Sequence, residues 1–361
     1  MPFHKEDISF GSEDKKGHPF LKALLALFIL AVFLVIICFV FSSVNNARVS
    51  FKKTTVTVPQ LSGNFSILHI SDLHGREFGA AQSRMGTAWG ASASKISAVC
   101  ITGDMTGKDG DCSAFCDMLD RLPGTDRIYF ISGDEDPDPI LSSPHDGDSP
   151  YAPWVLEAQA HGAIYLDCPT DVRYGKSTVW FCPEEAMNTD TAARRRELVK
   201  VQQSWEQKEP SEERDAMLLY LEYWMDLLSR IDDARSRMSA SDIYIVLKHA
   251  PYRVEKDADM KEEILVRGVQ TGYRASLVLC GHLCGGQVRL PLIGAVRIPS
   301  RIAGDWDWFP DEKEVSGLSY VNGVFQYISP GLGTCSRYTL PMRVFCAPQV
   351  DMITLTNELS H

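Results

Sequence analysis

From residue 65 onward the chain repeatedly runs apolar for a few positions and then turns polar. The runs and their endings are ILHISDLHG (Asp72, His74), VCITGD (Asp104), IYFISGDED (Asp134), IYIVLKHAPY (His249) and LVLCGHLCGGQ (His282, Cys284). Short runs rich in Ile, Val and Leu predict buried strands. The loops that leave such strands are where open α/β sheets carry their chemistry. On this pattern strands are expected at 54–59, 65–71, 96–102, 127–132, 177–182, 242–247, 276–280, 324–329, 342–347 and 350–355, with a hairpin turn at Asn322-Gly323. Helix-like segments alternate with the early strands, one of them from Asp111 to Leu122, and strands crowd the end. The expected fold class is α/β: a four-layer α/β/β/α sandwich of two mixed sheets flanked by helices, preceded by one transmembrane helix.

Two stretches break the strand pattern. Between Glu184 and Ala240 the periodicity turns helical, and after Pro210 and Ser211 the residues Met217, Leu221, Trp224, Leu228 and Ile231 form one apolar stripe. The simpler reading is an accessory helix packed on the core; the sharper one is a cap or a surface for a lipid chain. Near the start, Phe20 to Phe41 is apolar apart from Lys22, long enough to span roughly 30 Å of hydrocarbon as a helix. SSVNNA, from Ser42 to Ala47, is a poor cleavage site after so long a run, so an uncleaved anchor is expected. The resulting division is a short tail at 1–19, an anchor at 20–41, a linker with the first strand at 42–60 and a globular domain at 61–357, with a helical insertion at about 184–240.

The chain has 361 residues and a net charge of -11, with 45% hydrophobic residues, enough for a sizeable core. An acidic domain argues against a nucleic-acid partner, which favours a basic groove. Ten cysteines are present. Cys100, Cys182, Cys280 and Cys346 sit in apolar runs and read as buried thiols rather than a disulfide framework. Cys112 and Cys116 have helical spacing with no second pair to complete a metal site.

Carboxylates, imidazoles and one thiol at successive strand ends are ligand types for divalent transition metals. Alone, Asp72 or Asp104 would read as a turn former and each histidine as an ordinary loop residue; His69 reads as a packed sheet histidine. Their order is harder to explain structurally. The words DLH, GD (Gly103, Asp104), KHAPY around His249, GHLCGGQVRLP and YISPGLGT (Tyr327 to Thr334) resemble those of the calcineurin-like metallophosphoesterases. The likeness is greatest to a membrane-anchored bacterial branch that includes enzymes acting on phospholipid and nucleotide-lipid phosphates, and it covers Phe65 to Leu355. It implies one metal ion held by Asp72, His74, Asp104 and Cys284. A second would be held by Asp104, Asp134, His249 and His282, with Asp104 bridging. The ions would be divalent Mn, Zn or Fe, about 3.5–4 Å apart, activating a shared hydroxide against a phosphate mono- or diester. Asp104, Glu135 and His249 carry the catalytic expectation. The likeness and the usual signal-anchor orientation imply a single-pass protein of the cell membrane, with its catalytic domain outside the cytoplasm and a lipid-linked substrate within the family's range.

Two positions depart from the family words. GNH(D/E) reads Gly133-Asp134-Glu135-Asp136 here, so Glu135 replaces a histidine that serves the leaving group. The second histidine of GHxH is Cys284, whose thiolate is a competent ligand. Asp134 and a Cys284 thiolate would make the ligand set more anionic, and bound water less acidic, than in the family. Slower catalysis, a more alkaline optimum or use of trivalent iron is the expectation. The sequence therefore supports two classes, a metal-dependent phosphoesterase and a membrane-tethered metal- and phosphate-binding protein of impaired turnover. Arg76, Lys248 and Arg289 are the sequence candidates for holding substrate phosphate.

Overall fold

The chain is described here by a computed structural model covering residues 19–141, 149–253, 273–300, 305–321, 323–340 and 342–358. Residues 1–18 of the expected tail and Asn322 of the expected turn lie outside the described residues. Along Phe65–Ile70 every side chain is buried, as it is along Ala98–Thr102, Ser177–Pro183, Ile243–Leu247 and Leu277–Cys280. A strand that buries consecutive side chains must be covered on both faces. Two stacked sheets between helices meet that demand.

The strands of the two sheets, in chain order, are β1 (Ser50–Thr57), β2 (Phe65–Ile70), β3 (Ala98–Thr102), β4 (Ile128–Ile131), β5 (Ile164–Tyr165), β6 (Thr170–Tyr174), β7 (Ser177–Pro183), β8 (Ile243–Leu247), β9 (Leu277–Cys280), β10 (Gly317–Val321), β11 (Val324–Ile328) and β12 (Gln349–Thr356). One six-stranded sheet has the order β1-β12-β2-β3-β4-β5 and the other β10-β11-β9-β8-β7-β6. Both are mixed: β12 runs antiparallel to β2, and β10 and β6 antiparallel to their neighbours, while the central strands are parallel.

Side-chain alternation sorts the layers. Leu68, Ile70, Val99, Ile101 and Phe130 face Phe115, Met118 and Trp154 on the outer helices. Ile67, Cys100 and Tyr129 face inward against Phe181, Ile245, Leu279 and Tyr327 of the second sheet. Trp180, Tyr244 and Val278 face outward beneath Ala234 and Met238. The architecture is thus α/β/β/α with two mixed sheets.

The helical insertion is a hairpin of Thr191–Glu206 and Glu212–Arg237. Ser211 caps the second helix by accepting the Arg214 N–H, supplying one of the acceptors a helix start lacks. Leu198 meets Leu221 and Leu228 between the two helices, and Leu227 and Ile231 meet Ala186.

The expected strand at 342–347 is not formed. Val344 makes one bridge to Val288 and Phe345 has φ 50°, so the segment is irregular. A side chain organises it rather than ladder pairing: Arg343 is fully buried and donates to the carbonyls of Pro330, Gly333 and Cys346.

The N-terminal helix, Pro19–Asn46, includes a stretch long and apolar enough to cross a membrane, with mean hydropathy 3.5. A signal sequence has the same character. The helix runs through the front of the stretch assigned to the linker, and its last turns touch the domain. Ser42 and Asn46 are buried. Asn46 donates from Nδ2 to Arg343 O (2.7 Å) and its own carbonyl accepts from Arg76 (2.7 Å).

Candidate metal centre

The polar strand ends all gather at one edge of the two sheets. Asp72 and His74 follow β2, Asp104 follows β3, Asp134 to Asp136 follow β4, His249 follows β8, and His282 and Cys284 follow β9. Asp72, His74, Asp104, His282 and Cys284 all have φ between 47° and 73°. That region is uncommon for side-chain-bearing residues, and such strain gathers at functional sites held by surrounding structure.

Close loop approach holds it here. A Cβ on Gly133 would lie 2.2 Å from Asp104 Oδ1, and one on Gly281 1.7 Å from Ser71 Oγ. Asp136 ties two of the loops together, accepting N–H groups of Asp104, Met105, Thr106 and Gly133 at 2.8–2.9 Å. It acts as a bracket between the loops after β3 and β4.

Two trios of donor atoms that share no residue result, each within 4.8 Å of one another: Asp72, His74 and Cys284, and Asp104, His249 and His282; His74, Asp104 and Glu135 form a further trio that overlaps both. Asp104 also reaches the first trio, with Oδ2 3.8 Å from His74 Nε2 and 3.1 Å from His249 Nε2. His249 donates from Nδ1 to Thr102 O (2.7 Å), which leaves Nε2 unprotonated in the neutral ring and turned toward Asp104. That buried Nε2 has no aligned hydrogen-bond partner despite its nearness to the carboxylate. A lone pair of the neutral ring and an anionic oxygen 3.1 Å apart need a cation between them, a proton or a metal ion, so the residues fit a metal ion there.

Asp134 stands at the rim. It lies 3.3 Å from His282 Nδ1 and accepts from Arg337 Nη2 (3.0 Å). Arg337 is half-exposed, and its Nη1 lies 3.4 Å from His282 Nε2. The sequence did not single it out, because its partners are distant in the chain and only the arginine after YISPGLGT hinted at it. The three basic residues that were singled out are engaged elsewhere. Arg76 donates to Asn46 and Leu332 carbonyls, Lys248 pairs with Glu184 (3.4 Å), and Arg289 pairs with Glu312.

Glu135 lies 3.3 Å from His74 Nδ1 and accepts from Ser336 Oγ (2.9 Å) and Cys335 Sγ (3.0 Å). Burial would raise its pKa, but His74 and Cys335 hold it down to about 2. A carboxylate ionised at neutral pH accepts protons' hydrogen bonds and does not donate one. His69 is buried against Thr102 Oγ1 (3.0 Å), and burial lowers its pKa to about 3, as suits a packed neutral ring. Cys112 and Cys116 lie 3.1 Å apart near Glu157 on the far helix.

Without metal the centre binds protons instead. Burial alone would lower the histidines, but Glu135, Asp72 and Asp104 raise His74 to about 9, and Asp104 raises His249 to about 10. A folded pKa above the unfolded value near 6.5 gives stability that is full below 6.5 and lost as pH rises through 9 to 10. The thermal midpoint of chelated protein should therefore fall between pH 6.5 and 10. A flat midpoint across that window would show that these histidines are not proton-linked to folding.

A family model described as "Calcineurin-like phosphoesterase" matches residues 65–286, more than half of the chain. The chain belongs to the calcineurin-like phosphoesterase family. This calcineurin-like phosphoesterase is accordingly a metal-dependent hydrolase by family, with residue clusters suited to metal. It is 37% identical over 79 residues to Phosphodiesterase YaeI of Escherichia coli (strain K12), a match covering 22% of this chain and 24% of that protein. The match thus spans about a quarter of that relative's length. Among solved structures, the phosphopantetheinyl hydrolase PptH from Mycobacterium tuberculosis gives a TM-score of 0.33 at 13% identity, covering 74% of this chain and 89% of that one. GAP50, the anchor in the inner membrane complex of Plasmodium, gives 0.35 at 11% identity, covering 78% and 76%. At those scores the likeness says nothing about activity.

Proposed function

We propose that this chain is a membrane-anchored dinuclear phosphoesterase of a mono- or diester, with a lipid-linked phosphate as its substrate. The observation that carries the dinuclear reading is the pair of donor trios with Asp104 between them. Asp72, His74 and Cys284 would hold one ion and Asp104, His249 and His282 the other, with Asp104 shared and Asp134 bordering the second through His282. Two such ions supply Lewis-acid stabilisation of the phosphoryl oxygens and a more acidic water.

The chain's own residues set the rest. Thr102 O fixes the His249 tautomer, and Glu135 holds the His74 Nδ1–H so that Nε2 faces Cys284 and Asp104. Arg337, tethered by Asp134 at the rim, is placed to take a phosphate oxygen. Glu135 does not replace the family histidine as a proton donor, which favours slow turnover and esters whose leaving group needs little protonation. The same observation gives the second reading, a tethered binder of metal and phosphate without turnover, its support.

The helix at Pro19–Asn46 serves as an uncleaved anchor in this reading, and the docking of Ser42 and Asn46 on the domain supports its retention. Lys5, Lys15, Lys16 and Lys22 precede the apolar run and Arg48, Lys52 and Lys53 follow it, so charge alone leaves the orientation nearly balanced. The proposed orientation places the tail in the cytoplasm and the hydrolase outside it. The helix end lying against Arg343 supports the lipid-linked substrate of this reading.

Metal counting tests the ligand sets. The purified full chain should hold two ions, and Cys284→Ala should lose one on dialysis. Fewer than two ions in the unsubstituted chain would contradict the dinuclear reading, and two retained after Cys284→Ala would remove the thiol from it.

A further inference from the structure

The proposal concerns a surface beside the metal centre and rests on the reading of Pro19–Asn46 as a membrane anchor. Outside that helix, six of the exposed large apolar side chains fall in one part of the chain: Leu290, Leu292, Ile293, Trp308, Phe309 and Leu340. Leu292, wholly exposed, is at the tip of a small hairpin in which Arg289 pairs with Ala295 and Leu290 with Gly294. Trp308 and Phe309 end a second pairing, with Trp308 opposite Arg297 and the Phe309 N–H on Val296 O (2.9 Å). Gln287 donates to the Leu340 carbonyl, which brings the third loop alongside.

Three consecutive residues join this surface to the anchor. Arg343 O accepts from Asn46, and Phe345 donates to Ser42 Oγ (3.4 Å) while its ring lies 5.7 Å from that of Phe41. Val344 between them makes the other contact: its N–H donates to Gln287 O (2.8 Å) and its carbonyl accepts from Arg289 (2.9 Å). The hairpin bearing Leu290, Leu292 and Ile293 therefore leaves the body beside the last turn of the anchor. It also follows directly on the GHLCGG word that supplies His282 and Cys284. On its other side, Trp306 packs on Tyr338 (5.1 Å), the residue after Arg337.

We propose that Leu290, Leu292, Ile293, Trp308, Phe309 and Leu340 form a docking surface that enters the same bilayer as the anchor, setting the rim of the metal centre at the headgroup level. Apolar tips with aromatic side chains suit the membrane interface. The neighbouring charges do not suit attraction to anionic lipid: Arg289 pairs with Glu312 and Arg253 with Asp307, and Asp305 and Asp311 add negative charge. Insertion here depends on apolar area, so zwitterionic lipid suffices. A phosphate at the membrane surface then meets Arg337 without its acyl chains leaving the bilayer.

The test uses the full chain in phosphatidylcholine nanodiscs, with a photo-crosslinking benzoylphenylalanine placed singly at Leu292, Phe309, Leu30 or Val201. Leu30 lies within the anchor, and Val201 is an exposed position on the helix Thr191–Glu206. Lipid adducts at 292 and 309 on the order of tenfold above those at 201, with strong adducts at 30, are the expected result. Adducts at 30 without adducts at 292 and 309 would overturn the docking surface and leave the anchor standing. No adduct at 30 would overturn the anchor reading and the docking surface with it. Crosslinks from 292 to a second copy of the chain would make this a self-association face, and equal lipid adducts at 201 would show indiscriminate labelling; either overturns the proposal.

Discussion

Asp104→Asn lowers the turnover of the metal-loaded chain by on the order of 10³-fold or more, with the fold intact. The carboxylate sits between the two trios, with Oδ2 toward His249 and His74 while Oδ1 accepts the Glu135 N–H at 2.7 Å. An amide keeps one acceptor oxygen for that N–H, so the loop following β4 stays attached. It removes the negative charge that two cations would share, and it directs either a neutral oxygen or an amide donor at His249. Metal content separates the outcomes. The account expects the second ion to be lost or greatly weakened together with turnover, while the circular dichroism stays that of the folded chain; the midpoint of the chelated protein falls at neutral pH, because Asp104 no longer holds His249 and His74 protonated. Full turnover in Asp104→Asn would mean that the trios are not the reacting centre.

Glu135→Ala weakens metal affinity by roughly 10- to 100-fold, the usual cost of removing a carboxylate that orients a ligating imidazole. Glu135→Gln has a smaller effect, because its amide oxygen can still accept the His74 Nδ1–H. The relevant contact is the 3.3 Å approach of Glu135 Oε2 to His74 Nδ1, with the far ring nitrogen facing Cys284 Sγ at 3.6 Å. Glu135 also clamps the Cys335-Ser336 loop, so loss of stability alone would not distinguish the roles. The ratio of metal dissociation constants between the two variants does. Equal constants for Glu135→Ala and the unsubstituted chain, with only a lowered thermal midpoint, would reduce Glu135 to a loop clamp.

Much of this centre was legible because each candidate ligand follows a buried strand in the sequence, and burial of consecutive apolar residues is a local signal. Asp72, His74, Asp104, His249, His282 and Cys284 all come together as the order of their words implied. The rest depended on contacts that no local pattern announces. Arg337 meets Asp134 across 203 positions of sequence, and Glu135 meets Cys335 across 200. Nothing near Asp136 in the sequence reveals that its oxygens collect N–H groups from the loop after β3. The segment at 342–347 has the apolar composition of a strand, but a buried Arg343 that holds the carbonyls of Pro330, Gly333 and Cys346 organises it in place of a ladder. The N-terminal apolar helix was readable from its composition, but its docking through Ser42 and Asn46 was not.

The most direct measurement is hydrolysis of a generic aryl phosphodiester by the detergent-solubilised full chain, first stripped with chelator and then reloaded separately with Mn²⁺, Zn²⁺ and Fe²⁺. The account predicts turnover that disappears on stripping and returns with at least one of these ions. Full reloading of both trios with no turnover at any pH would contradict it and leave a tethered metal-binding protein.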